Sequence, residues 1–267
     1  SYRVNYNHSK YLLKYFLWFG QKTIALYLCS HNKMNYIMSG ILSSSIGRKF
    51  AMAISALFLM IFLLQHFAIN ILSVFSPDTF NEVSHFMGTF WVIQYALQPV
   101  LIFGVVFHFV MGFVLEIKNS KARQIKYAVN NGGANSSWMS RNMIWSGLTI
   151  LAFMLLHFYD FWVPEITIKF IDGDMSGLID PNNSESGFRY LEHLQHKFVD
   201  MWRVALYVIS FVFLALHLLH GFDSAFQSVG ANNKYTKGLK RFSKIYAIGI
   251  PVGFIFIALF HHLNQIL

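Results

Sequence analysis

Five stretches of this chain are each apolar over about the twenty residues a helix needs to cross the hydrocarbon core of a bilayer. They run roughly over 48–73, 91–117, 142–163, 203–227 and 244–265. The first passes from Phe50 to Leu72 without one Asp, Glu, Lys or Arg. Lipid offers backbone groups no hydrogen-bond partner, so a spanning stretch satisfies them internally, as helix. Composition agrees. Charged residues make up 12% and hydrophobic residues 55%, against about 25% charged in soluble domains. The pattern predicts an all-α integral membrane protein with five transmembrane helices across residues 38–267. Pro99 is expected to kink the second span, because proline removes a backbone donor and crowds the preceding turn; Pro164 is expected to end the third. Residues 1–37, where Lys14, Gln21 and Lys22 interrupt the apolar run, are expected to be an interfacial or poorly ordered extension.

The net charge of +9 is concentrated in particular loops and sets orientation; it does not mark a nucleic-acid partner. Lys118, Lys121, Arg123, Lys126 and Arg141 fall between spans two and three, and Lys234, Lys237, Lys240, Arg241 and Lys244 between spans four and five. The 74–90 connection has no Lys or Arg, and 164–201 is rich in acids. Cytoplasmic loops carry the Lys and Arg excess, so the start of the first span and both basic loops are expected in the cytoplasm of a bacterial cell. Cys29 is the single cysteine. That excludes a disulfide, an iron–sulfur cluster or a covalent C-x-x-C-H haem within these residues.

His66, His108, His157 and His220 lie one in each of the first four spans. Ionisable side chains at bilayer depth are costly and usually mark function. A helix rises about 1.5 Å per residue, which turns position into depth. His66 and His157 then fall in the outer half, and His108 and His220 in the inner half. The two levels differ by on the order of 10 Å. Histidines at matched depth on facing helices can ligate one iron from both sides, so four helices are expected to form a bundle around two b haems. His217, one turn before His220, competes with it; His220 is preferred because Gly221 follows it. Spans one and three also align on their histidines: Met52 with Met143, Ser55 with Ser146, Ala56 with Gly147. Small residues at such positions let a neighbouring helix or a flat ring approach, which makes Ser55 and Ser146 candidate haem-environment residues. Arg48, Lys49 and Arg141 are candidate partners of haem propionates. Glu82 and His85, between spans one and two, are candidates for proton delivery to a quinone. His261 and His262 are expected to face the membrane interface.

The ordered set Gly47-Arg48-Lys49-Phe50 to Gln65-His66-Phe67, Phe107-His108-Phe109, Leu156-His157-Phe158 and His217-Leu218-Leu219-His220-Gly221 resembles a known family. It looks like the single-subunit dihaem cytochrome b membrane anchor of succinate dehydrogenases and fumarate reductases, in the form found in Bacteroidetes-like bacteria. The resemblance implies that His66 and His157 hold a distal haem b, and His108 and His220 a proximal one. It further implies a flavoprotein subunit and an iron–sulfur subunit as partners, with a quinone, expected to be menaquinone, as electron acceptor. The chain itself has no succinate-oxidising site; its share is anchoring and electron transfer. Leu218 stands where some members carry a glutamate two residues before the fourth ligand, so that proton path is not expected. Two other classes remain open: the dihaem cytochrome b of a hydrogenase or formate dehydrogenase, and a histidine-lined transporter.

Overall fold

The computed structural model describes residues 40, 43–122, 142–231 and 236–267, so the expectation for 1–37 lies outside the described residues. The chain divides into two units, 1–51 and 52–267. In the first, the described part is the start of α1 (Ser45–Asn70). There Ser44 Oγ accepts the Gly47 N–H at 2.9 Å, satisfying one of the amide groups left open at a helix N-terminus.

The second unit is helical, and its described residues include no strand beyond an isolated bridge between Leu178 and Phe188. After α1 come α2 (Leu72–Phe75), α3 (Pro77–Thr89) and α4 (Gln98–Ala122), then α5 (Met143–His157) and α6 (Val163–Phe170), and finally α7 (Tyr190–Lys197), α8 (Met201–Ser228) and α9 (Thr236–Ile266). Five helical stretches are long and apolar enough to cross a membrane: Ser45–Phe75, Ile93–Lys121, Met143–Phe170, Met201–Ser228 and Thr236–Ile266. Their outward surfaces carry large apolar side chains such as Phe103 (68% exposed) and Ile245 (64% exposed). A water-soluble monomer rarely displays such continuous apolar area; a lipid-facing one needs it.

Pro164 acts differently from expectation. Pro164 does not end the third span. A π-helical turn, Phe158–Trp162, precedes it, and the helix continues as α6 to Phe170. The wide turn lets proline enter in the first turn of a new helical segment, where its missing N–H costs nothing. Pro99 follows another π-helical turn, Ile93–Leu97, in the same way.

Packing is tightest between α8 and α9. Ala247 and Ala258 bring the backbones close, and Phe222 packs on Tyr246 at 4.9 Å and Phe211 on Phe254 at 5.3 Å. Helix α5 joins α8 through Phe153, set edge-on to Tyr207 at 5.0 Å. Helix α1 meets α9 where Tyr246 donates its hydroxyl to the Met60 carbonyl and Phe67 lies over Gly253. It meets α4 where Phe58 lies on Gly104. The connections opposite the basic loops fold into a cap. Helix α3 lies against α7, with Asn81 Oδ1 accepting the Leu191 N–H at 2.9 Å. Lys169 is buried and pairs with Glu165 at 2.8 Å while donating to the Gly88 carbonyl. Arg189 reaches Glu165 at 3.3 Å and Asp174 at 3.1 Å. Gly177 takes φ +70°, and a β-carbon there would run into His85.

Candidate functional site

Helices α1 and α5 face each other through His66 and His157, whose ring centroids are 5.8 Å apart at 88°. Phe62 stacks on His66 at 5.4 Å and Phe153 on His157 at 5.8 Å; Phe254 and Phe161 close the flanks. Asn70 Nδ2 donates to the His66 carbonyl at 2.8 Å and lies 3.4 Å from His66 Nε2. His157 Nδ1 is buried with no hydrogen-bond partner.

Helices α4 and α8 face each other through a second pair, His108 and His217, at 6.4 Å and 68°. Each ring nitrogen Nδ1 meets a serine on the preceding long span: His108 with Ser55 Oγ of α1 at 3.1 Å, His217 with Ser146 Oγ of α5 at 3.2 Å. Both serines also donate to the carbonyl three residues back, Met52 at 2.8 Å and Met143 at 2.9 Å. His66 and His157 each lie eleven residues beyond those serines, so the two levels are about 16 Å apart along the helices.

His220, the residue preferred by sequence, is one turn further along α8, half-buried, and has no ring contact with another histidine among the described residues. The physical reason is a repeat that relates α4 to α8. A β-carbon on Gly112, four residues after His108, would sit 3.8 Å from Met52 Cε; one on Gly221, four after His217, would sit 3.7 Å from Met143 Cε. Gly221 accommodates a methionine, not the ring of the histidine beside it. His-x-x-x-Gly in both spans was the signal available in the sequence; aligning spans two and four picks out His217.

The other candidates scatter. Glu82 is exposed on α3. His85 on the same helix turns into the cap, stacked on Phe188 at 4.2 Å, with Nδ1 3.5 Å from the Tyr190 hydroxyl. Burial, reinforced by the Lys169 and Arg189 charges, holds its pKa below the usual histidine range. Arg48 and Lys49 lie in the first unit at the start of α1, and Arg141 lies outside the described residues.

A third polar group was not singled out in the sequence. Asp160, in the π-helical turn after His157, has no exposed surface. It accepts the Tyr207 hydroxyl at 2.9 Å and faces Arg203 at 3.5 Å. His261 and His262 are buried instead of facing an interface: His261 Nε2 meets Ser73 Oγ at 2.9 Å, and His262 Nδ1 donates to the Phe198 carbonyl at 2.8 Å. Position near a span end suggested exposure; the end of α7 and the α2–α9 contact cover them.

Two imidazoles bound to opposite sides of one metal through bonds of about 2 Å have ring centres about 6 Å apart. Both pairs have that separation, and no group of three or more His, Cys, Asp or Glu suited to a metal occurs among the described residues. Each pair could offer a metal two histidine nitrogens, one from either helix. Fold and site define an all-helical protein of multi-pass membrane type with two internal histidine pairs. No family model matches the chain, and no curated protein or solved structure shows significant similarity to it.

Proposed function

We propose that this chain is the dihaem cytochrome b anchor of a succinate:quinone oxidoreductase, carrying electrons from an iron–sulfur partner to quinone. The observation that carries the reading is the repeated histidine pair at two depths, each at the separation two axial ligands of one iron require. His66 and His157 would hold one haem b, and His108 and His217 the other. A haem b held by these histidines would supply one-electron transfer.

The chain's own residues do the rest. Phe62, Phe153, Phe161 and Phe254 surround the first pair with apolar rings, which lowers the local polarity that tunes a haem's potential. Loop charge supports a cytoplasmic position for the basic end, where the flavoprotein and iron–sulfur subunits would dock. Electrons would then pass from the His108–His217 level to the His66–His157 level. Glu82, exposed beside the cap, is the group proposed to deliver a proton to quinone, with menaquinone the expected acceptor. With His217 as ligand, the position two residues before it is Ala215, so a carboxylate is again lacking there.

The test is an optical and redox titration of the purified protein with haem counted per chain. Two haems and a dithionite-reduced α-band are expected. His66→Ala and His157→Ala should each remove one potentiometric component, and His108→Ala and His217→Ala the other, while His220→Ala keeps both. A protein without haem would sink the reading, and loss of a haem in His220→Ala but not in His217→Ala would return the fourth ligand to His220. Co-purification with flavin- and iron–sulfur-containing subunits separates the succinate complex from a hydrogenase or formate dehydrogenase.

A further inference from the structure

The serines beside the inner pair have a proton count that fixes more than their position. A serine hydroxyl carries one hydrogen and two acceptor lone pairs. Ser55 gives its hydrogen to the Met52 carbonyl at 2.8 Å, and Ser146 gives its own to the Met143 carbonyl at 2.9 Å, the usual bond of a serine inside a helix. With the hydroxyl hydrogens on those carbonyls, the longer contacts to His108 Nδ1 and His217 Nδ1, 3.1 and 3.2 Å, have nitrogen donating and Oγ accepting. A neutral imidazole that donates from Nδ1 carries its lone pair on Nε2. Both rings are thus held in the tautomer that can ligate a metal through Nε2.

We propose that Ser55 and Ser146 are matched positioning residues, which fix the tautomer and orientation of His108 and His217 and raise their basicity as iron ligands; this rests on the haem reading above. The arrangement occurs twice, on helix pairs α1–α4 and α5–α8, with the same methionine-to-glycine contact beneath each. The outer pair is built differently, since the buried His157 Nδ1 has no partner. An Nδ1–H bond to an oxygen acceptor makes Nε2 the stronger donor, and loss of such a bond typically weakens metal retention by 10–100-fold.

The experiment compares wild type, Ser55→Ala, Ser146→Ala and the corresponding Thr variants of the full chain, each purified with its haem. Redox titration and haem loss on detergent dilution are the readouts. The inner component is identified as the one missing from His108→Ala. Both Ala variants should raise the midpoint potential of that component and weaken its haem retention about 10–100-fold, with the outer component unmoved. Both Thr variants should restore potential and retention, because threonine keeps the hydroxyl. A serine that merely fills space predicts the opposite order, since alanine is smaller and threonine adds a methyl group. Unchanged potentials in both Ala variants, or a shift of the outer component, overturn the assignment while leaving a haem-loaded wild type to uphold the cytochrome reading. A wild type without haem overturns both.

Discussion

Asp160 sits without any exposed surface inside an apolar bundle, held by the Tyr207 hydroxyl and the Arg203 guanidinium. Its place in a π-helical turn explains how it gets there: the extra residue in the wide turn re-aims the side chains that follow His157. Removing one partner of a buried ion pair leaves the other charge uncompensated, which costs about 3–5 kcal/mol. Asp160→Ala is therefore expected to lower the thermal midpoint in detergent sharply. Tyr207→Phe removes only a hydrogen bond to a charged group, about 1.5–3 kcal/mol, and should fall between Asp160→Ala and wild type. Equal stability of all three proteins would show that the cluster contributes nothing to folding. The residue was visible in the sequence as an acid near a span end; nothing local announced that a π-helical turn would direct it inward.

At the scale of helices, α9 separates two glycines by function. Gly249 has open space around a would-be β-carbon, whereas at Gly253 that carbon would overlap the Phe67 ring of α1. Alanine in a helix is favoured over glycine by roughly 0.5–1 kcal/mol. Gly249→Ala is expected to stabilise by about that amount. Gly253→Ala should instead destabilise by about 1–3 kcal/mol, the usual cost of overpacking, because the α1–α9 contact must open. Thermal melts of both variants in the same detergent check the pair, and a stabilising Gly253→Ala would mean that α1 and α9 are not in contact there. Sequence alone gives both positions the same reading, a glycine in an apolar span.

At the scale of the molecule, the cap is the part exposed to changes in pH. His85 faces Lys169, Arg189, Glu165 and Tyr190, and its pKa is lowered first by burial and then by the two cations, against Glu165. His193 is lowered mainly by burial and by Lys197 and His196, against Glu165 and a backbone bond at Asp160. The unfolded cap binds protons at the ordinary histidine value of about 6.5, the folded cap only at lower pH. Stability from both groups is thus complete above that value and is lost as pH falls below it. Protection factors of the amides in residues 171–189, with the intrinsic pH dependence of exchange divided out, should fall as pH is lowered from 7.5 to 5 while those of the spans hold, and His85→Gln should reduce that fall. Protection factors that are flat with pH in the wild type would show that the cap does not depend on these histidines.

The helical class, the five long apolar helices and the places of His66, His108 and His157 along them were set by the sequence itself, because a bilayer imposes length, apolarity and internal hydrogen bonding on each segment separately. Such constraints are local and can be read one span at a time. The facing of His108 by His217 and not by His220, the burial of His261, His262 and Asp160, and the capping role of 77–89 and 163–197 were decided only in the tertiary structure. Each depends on which face of one helix meets which face of another, and in membrane spans apolar residues cover all faces, so the amphipathic signal that identifies the inner face of a soluble helix is weak. What selects the face here is close contact of small residues and a few polar bonds between helices, as where Met143 rests on Gly221 and Ser146 meets His217.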